Sequence, residues 1–344
     1  MSKAIALYSG GLDSTLAILT VMKQGIEVTA VTFLTHFGCD ISDRSSCSKD
    51  PFSAAEKFGF KVKLHHLADK FIEIVKNPRF GHGKNMNPCI DCRILMLKEA
   101  SELMRMTGAD FIITGEVLGQ RPMSQKKTNF PMIDKTADVR GYVLRPLSAK
   151  LLDITIPEQK GLVSREMLYD FNGRSRKPQM ALAREFGLTE YPAPAGGCLL
   201  TEPNYSFRLK EMLAYKNDPE LKDINLLRMG RHFRVSPECK IIVGRDKNDN
   251  EAIVSLAGAE EYVLQVEGYG SPVTIISGWA GDETLTLAAS LCARYSDARH
   301  LTEVDVAVSI GSEKFYLKVP PANNTTAGLY RIEINPQEAF LKKE

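Results

Sequence analysis

The chain has 344 residues, which sets a prior of about two domains. With 44% hydrophobic and 25% charged residues it has ordinary globular proportions, which exclude wholesale disorder, a collagen-like chain and a disulfide-stapled miniature. Its 44 basic and 42 acidic residues leave a formal charge of +2, so no global field advertises a nucleic-acid partner. No apolar run reaches the ~20 residues of a membrane span, and the N-terminus runs straight into a glycine turn, unlike a signal peptide. The expectation is a cytoplasmic protein without a membrane partner.

In chain order, Ile5–Tyr8 reads as a buried strand, 13–23 as a helix, Val28–Leu34 as a second strand and 54–58 as a helical piece. A third strand is expected over 60–66, a helix over 92–105 and a strand over 111–114. Strand–helix alternation of this kind implies right-handed crossovers and a doubly wound parallel α/β sheet, with ligands at the carboxyl ends of the strands. The pattern is helical over 158–186 and includes the acid-free run 171–184 with Arg174, Arg176, Lys177 and Arg184, a solvated face or a phosphate-binding patch. A Pro/Gly-rich loop ends on Cys198, and 205–215 forms one amphipathic helix. Beyond about residue 226 the pattern becomes β-rich, with strands at 240–243, 263–266, 273–276, 304–310 and 314–319 and a helix at 283–295. The expected domains are 1–186, a connecting 187–225 that carries Cys198, and a smaller α+β domain at 226–344.

Three constellations carry chemistry. Ser9-Gly10-Gly11-Leu12-Asp13-Ser14 follows the first strand and opens the first helix, where free N–H groups and tight glycines make an anion cradle. It lacks the Gly-Lys-Ser/Thr of a Walker loop. Thr114-Gly115-Glu116-Val117-Leu118-Gly119-Gln120, followed by Ser124-Gln125, again sits behind a strand. The third is Cys89-Ile90-Asp91-Cys92 with Cys198. A C-x-x-C preceding a helix reads as a redox pair, half a zinc site or part of an iron–sulfur site. His82 is near enough in sequence to be a fourth ligand, although a lone loop histidine is more often a plain polar residue. The chain has seven cysteines, an odd number that argues against a disulfide framework. Cys39, Cys47, Cys239 and Cys292 are read as structural thiols.

The first string resembles the S-G-G-x-D-S signature of the PP-loop ATP pyrophosphatases. The second resembles the T-G-E-x-L-G-Q…S-Q segment of ThiI-type tRNA 4-thiouridine synthetases, relatives of the tRNA 2-thiouridylases. The resemblance covers roughly residues 1–185. It implies an ATP-dependent tRNA sulfurtransferase that adenylates a uridine carbonyl oxygen and lets sulfur displace AMP. Ser9, Gly10, Gly11, Asp13, Ser14, Thr114, Gly115 and Gln120 would then bind the nucleotide, with Asp13 helping to place magnesium. In tRNA-thiolating relatives a similar cysteine trio holds a 4Fe–4S cluster, or two of the three work through a persulfide. Counting three thiolates, Cys89, Cys92 and Cys198, favours a cluster with one iron open to hydrosulfide. The sulfur would come from free sulfide or a cysteine desulfurase system.

Standard ThiI proteins place an RNA-binding region with a THUMP domain before the PP-loop, whereas this PP-loop begins at residue 9. The C-terminal strings around Arg234-Val-Ser-Pro, Lys240 to Asp246, Asn248 to Glu251 and 288–297 resemble the RNA-binding NFACT-R domain, which would supply the contact to tRNA. The rival readings are 2-thiouridine formation, an amide-forming PP-loop ligase, a dimerisation role for the C-terminal domain, and an RNA-binding factor without catalysis.

Overall fold

The computed structural model describes residues 2–37, 51–192 and 198–334, so Cys39 and Cys47 lie outside the described residues. The chain divides into two compact units, Met1–Thr201 and Glu202–Glu344. Cys198 therefore belongs with the first unit, and the amphipathic helix near residue 210 with the second.

The first unit runs β1 (Lys3–Leu7), α1 (Leu12–Met22), β2 (Glu27–Leu34), α2 (Pro51–Phe58), β3 (Lys61–His66), α3 (Ala68–Lys76), α4 (Cys89–Thr107) and β4 (Phe111–Thr114). It continues through α5 (Asn129–Thr136), β5 (Val143–Leu144), α6 (Ile156–Gln159) and α7 (Lys177–Glu185). Its five strands pair in parallel in the order β3-β2-β1-β4-β5. Alternate residues of β1 feed two cores: Ala4, Ala6 and Tyr8 pack with α1, while Ile5 and Leu7 pack with Ile94 and Leu97 of α4 and Ile133 of α5. That is the doubly wound α/β sheet expected from the alternation. Strand order reverses between β1 and β4, so the crevice for a ligand opens at the carboxyl ends of these two strands.

The stretch expected to be helical over 158–186 is not continuous. Only α6, a 3-10 turn at Arg165–Met167 and α7 are helical there. Gly161 and Gly173 take positive φ, and Pro178 fits only the first turn of a helix. Residue Asn172 instead forms a parallel bridge to Leu118. The C-x-x-C does not precede its helix but opens it, Cys89 being the first residue of α4 and Pro88 its N-cap.

The second unit begins with α8 (Pro203–Tyr215) and α9 (Leu221–Leu226), followed by β6 (Arg231–Ser236), β7 (Cys239–Val243), α10 (Lys247–Leu256), β8 (Tyr262–Val266) and β9 (Thr274–Ser277). It ends with α11 (Asp282–Arg294), β10 (Val304–Ile310), β11 (Glu313–Val319) and α12 (Asn324–Tyr330). Six strands make an antiparallel sheet ordered β11-β10-β8-β9-β7-β6. Its main core gathers Ile241, Val243, Leu264 and Ile276 with Ala288, Leu291 and Cys292 of α11. Ile242 and Ile275 point to the opposite face, onto Leu226 and Ile253. Cys239 and Cys292 are buried in the main core, in keeping with structural thiols. Among the described residues no helix is long and apolar enough to cross a membrane.

Candidate functional site

The β1–α1 turn is shaped by two glycines. Gly10 has φ +69°, a left-handed conformation that suits glycine, and Gly11 is the extended N-cap of α1. The Ser14 hydroxyl donates to the Gly11 carbonyl at 3.0 Å and stands 3.2 Å from the Ser9 hydroxyl, so the turn is closed by its own side chains. The first-turn N–H groups of α1 are thereby left facing outward as an anion site.

Gly115 is where the second string meets this turn. A Cβ on Gly115 would stand 2.5 Å from both Ser14 Cα and Ser14 N, and 2.7 Å from the Asp13 carbonyl carbon. Only a residue without a side chain lets the end of β4 lie against the start of α1. Farther along, Gln120 Nε2 donates to Asp13 Oδ2 at 3.0 Å. Asp13 Oδ1 is buried with no hydrogen-bond partner among the described residues. Burial pushes the Asp13 carboxyl above its ordinary range, against the pull of Gln120, Arg176 and Arg121. An orphaned carboxylate oxygen beside an anion cradle is a place for a cation that bridges to phosphate.

The remaining residues of the second string point inward. Thr114 Oγ1 donates to Glu116 Oε2 at 3.0 Å, and Glu116 is 2% exposed. Arg145 Nε donates to Glu116 at 3.0 Å and forks onto Asp134 at 2.9 and 2.7 Å, its guanidinium lying 4.1 Å over the Phe130 ring. Arg93 Nε stands 3.1 Å from the other Glu116 oxygen. Burial opposes the Glu116 charge, yet Arg93 and Arg145 hold its carboxyl below the ordinary value. Ser124 and Gln125 are buried too: Gln125 closes the loop through its main chain to Gly119 and through its side chain to the Arg121 N–H. Thr114, Ser124 and Gln125 thus brace the site without lining it.

The cysteine trio is assembled by main-chain bonds. Asp91, inside the C-x-x-C, accepts from the N–H groups of Arg79 and Phe80 at 3.1 Å each. Met86 N donates to Leu200 O, Leu199 N to Phe37 O and Asn85 Nδ2 to Thr201 O, which fastens the Cys198 segment beside the loop leading into α4. Burial raises all three thiols: Cys92 is pushed up to about 12, with Cys198 and Cys89 adding to the rise, while Arg93 and Arg121 oppose it. Cys89 and Cys198 are also raised by burial. The three thiols therefore sense one another, although among the described residues no three His, Cys, Asp or Glu side chains are grouped as a ready metal site. His82 is engaged elsewhere, its Nε2 donating to Val75 O at 2.8 Å.

Two cations bear on the site, Arg121, which no motif marks, and Arg176 of the acid-free run. The exposed Arg121 opposes the burial-driven rise of the Asp13 carboxyl and of the Cys89, Cys92 and Cys198 thiols. Its only signal in the sequence is its place directly after Gln120. Arg176 also acts on Asp13. It is brought there by the Leu118–Asn172 bridge, the Gly173 N to Leu118 O bond at 2.7 Å and the packing of α7 on α1. One turn farther on, Gln179 is 0% exposed with both amide ends unpartnered among the described residues.

Residues 1–153 match the family model described as thiamine biosynthesis protein (ThiI), and residues 230–331 match that of the NFACT protein RNA binding domain. A "Probable tRNA sulfurtransferase" of Lysinibacillus sphaericus (strain C3-41) is 32% identical over 163 residues, 46% of this chain and 38% of the relative. A "tRNA-specific 2-thiouridylase MnmA" of Methylobacterium nodulans (strain LMG 21967 / CNCM I-2342 / ORS 2060) is 23% identical over 83% of this chain and 77% of the relative. A "Probable tRNA sulfurtransferase" of Thermococcus kodakarensis (strain ATCC BAA-918 / JCM 12380 / KOD1) is 29% identical over 42% of this chain and 36% of the relative. The chain thus spans under half the length of both sulfurtransferase relatives. A solved 4-thiouridine synthetase–RNA complex with bound ATP is similar at 20% identity and a TM-score of 0.32, over 54% of this chain and 52% of that one.

Proposed function

We propose that this chain, a ThiI-type protein with a C-terminal domain of the NFACT RNA-binding kind, is an ATP-dependent tRNA sulfurtransferase. A uridine carbonyl oxygen is a poor leaving group because resonance spreads its electrons over the ring. Transfer of AMP to that oxygen, with release of pyrophosphate, converts it into a good one, and a sulfur nucleophile then displaces AMP. The base has to leave its stack to reach such a crevice.

The observation that carries the reading is the meeting of the two strings: Gly115 lies against the main chain of Asp13 and Ser14, and Gln120 donates to the Asp13 carboxylate. Adenylation falls on the carbonyl oxygen and sulfur attacks the carbon that bears it, so the two halves of such a site must meet at one C–O bond. The Ser9–Ser14 turn would hold the β and γ phosphates, with Gly10 and Gly11 supplying the curl and Gly115 the clearance. Asp13 Oδ1, buried and unpartnered among the described residues, would help to hold a magnesium ion, which would supply charge to offset that of the phosphates. Arg121 and Arg176 would offset charge developing on the α-phosphoryl group, the form of catalysis that preorganised cations supply best.

Cys89, Cys92 and Cys198 would be the three protein ligands of a 4Fe–4S cluster: the Cys198 segment is fastened beside the loop leading into α4, while among the described residues the thiols as they stand are not grouped as a ready metal site. When bound, such a cluster would offer an open iron on which hydrosulfide is held and made more acidic. The sulfur source is free sulfide or a cysteine desulfurase system, and the setting is the cytoplasm. The product we favour is 4-thiouridine, since the matching segment is of the ThiI type; 2-thiouridine is the second reading, favoured by the long alignment with the 2-thiouridylase.

The test is reconstitution with ATP, magnesium, sulfide and bulk tRNA after anaerobic purification. Pyrophosphate, AMP and a thionucleoside seen by mass spectrometry are expected. AMP without a thionucleoside would point instead to the amide-forming ligases.

A further inference from the structure

Of the basic residues that the sequence singles out in the second unit, two are not available to a partner. Arg234 is clamped onto Glu211, at 2.5 and 3.1 Å, and lies 4.7 Å over the Tyr215 ring. Lys240 is buried on β7. The accessible positive charge gathers elsewhere, around Tyr295 at the end of α11.

Arg231 stacks 4.4 Å over the Tyr295 ring and Arg294 lies 5.5 Å from its centroid. Arg331 Nη1 donates to the Tyr295 hydroxyl at 3.1 Å. Arg331 is carried there by its bridge to Phe233 of β6, next to Arg231. Arg245 and Arg331 both act on Arg231 and on Arg208. Nearby carboxylates neutralise part of this set: Asp249 pairs with Arg245 at 2.6 Å and Glu333 pairs with Arg331. Arg208, Arg231 and Arg294, by contrast, donate to neutral carbonyls, those of Leu227, Gly244 and Ala322.

We propose that Arg231, Arg294 and Arg331, gathered around Tyr295, dock the phosphodiester backbone of an RNA. The proposal rests on the tRNA reading above and gives it a surface. A guanidinium has five N–H donors in a planar fork, and Arg231 uses one of them on Gly244 and its flat face on Tyr295. The stacking fixes the fork while leaving most of its donors for ligand oxygens, so little side-chain freedom is lost on binding. Like charges held this close repel one another, and a polyanion relieves that repulsion while releasing counterions. An isolated phosphate would need one fork; several forks around one ring suit a chain of phosphates.

The experiment measures binding of fluorescent bulk tRNA to the full chain across a salt series. Wild-type affinity should fall steeply with salt. In Arg231→Gln/Arg331→Gln the slope of log affinity against log salt should drop by about two, with at least about a tenfold loss at moderate salt. Arg331→Gln alone, at a side chain 31% exposed, should show about half of that slope change and guards against a misfolded double variant. Arg331→Lys should keep the slope, and Lys318→Gln, on the far strand β11, should behave as wild type. If the wild type binds tRNA and the double variant matches its affinity and slope, the surface assignment is overturned while the tRNA reading stands. If the wild type fails to bind, both fall.

Discussion

Gln120 donates its amide N–H to Asp13 Oδ2 at 3.0 Å across 107 residues of sequence, tying the end of the β4 loop to the first turn of α1. The bond fixes one carboxylate oxygen and turns the other, buried and unpartnered, toward whatever the cradle holds. Asp13→Ala should therefore abolish ATP-dependent AMP release, a loss of at least about a hundredfold by analogy with removal of a positioned charge in a catalytic site. Its fold should persist, because Asp13 takes no part in the hydrophobic core. Gln120→Leu leaves the carboxylate but frees it to rotate, and should cost about tenfold in the same assay. A folded Asp13→Ala protein that still makes AMP would remove this loop from the chemistry.

Gly115→Ala tests the clearance between β4 and α1. The new methyl would sit 2.5 Å from the Ser14 main chain, which cannot swing aside as a long side chain could. We expect about 1–3 kcal/mol of destabilisation from overpacking, and a drop in ATP affinity as the cradle is pushed open. Thermal melts and nucleotide titration read the two effects separately. Unchanged affinity in a destabilised protein would mean that this contact is structural only.

The parts of the molecule written in local pattern could be read before the structure. Strand–helix alternation, the glycine turn after β1 and the presence of a helix at the C-x-x-C each follow from a few neighbouring residues, whereas the start of that helix at Cys89 does not. What escaped depends on register and distance. Arg121 carries no motif, and its electrostatic effect on Asp13 and the thiols follows from the folding of the loop that Gln125 closes. Arg176 lies in a run that reads first as a solvated face and otherwise as a phosphate-binding patch; the bridge at Asn172 replaces helix with extended chain before it, and its charge bears on Asp13. Thr114 and Glu116 belong to a string that reads as functional throughout, yet their side chains serve a buried ion network.

That network gives a pH prediction. Arg93 and Arg145 hold Glu116 below its ordinary value of 4.5, so the folded state binds its proton less readily than the unfolded chain does. Its contribution to stability is therefore complete above roughly pH 4.5 and is lost as pH falls through the lower folded value. Asp134 has the opposite sign: burial raises its pKa despite the Arg145 fork, so acidification through that value favours the folded state and offsets part of the loss. Glu116→Gln should cost about 1–3 kcal/mol at neutral pH, since Arg145 keeps its fork onto Asp134 but loses one of its two carboxylates, and Arg93 loses its partner. It should also flatten the acid limb of the stability profile. A variant with the wild-type acid limb would show that other carboxylates control it.

The cysteine trio and Arg121 can be separated by which half of the reaction they stop. Loss of a thiol leaves the cradle, Asp13 and both arginines in place, so Cys89→Ala, Cys92→Ala and Cys198→Ala should still release pyrophosphate in the presence of tRNA. All three should fail to yield a thionucleoside if the three thiolates act as one ligand set. Survival of thiolation in Cys89→Ala alone would favour a persulfide route through two cysteines. A colourless, iron-free protein that still thiolates tRNA would exclude the cluster. Arg121→Gln should differ from all of these. Its charge lowers the cost of a thiolate at each cysteine and favours the Asp13 carboxylate, so its loss should depress pyrophosphate release and thionucleoside yield together. About tenfold on each readout is the scale expected for one partly exposed charge. Arg121→Lys, which restores the charge without the fork, should recover most of both. If Arg121→Gln left pyrophosphate release at the wild-type rate, the two ends of the site would not share this cation, and the cysteines would act apart from the nucleotide.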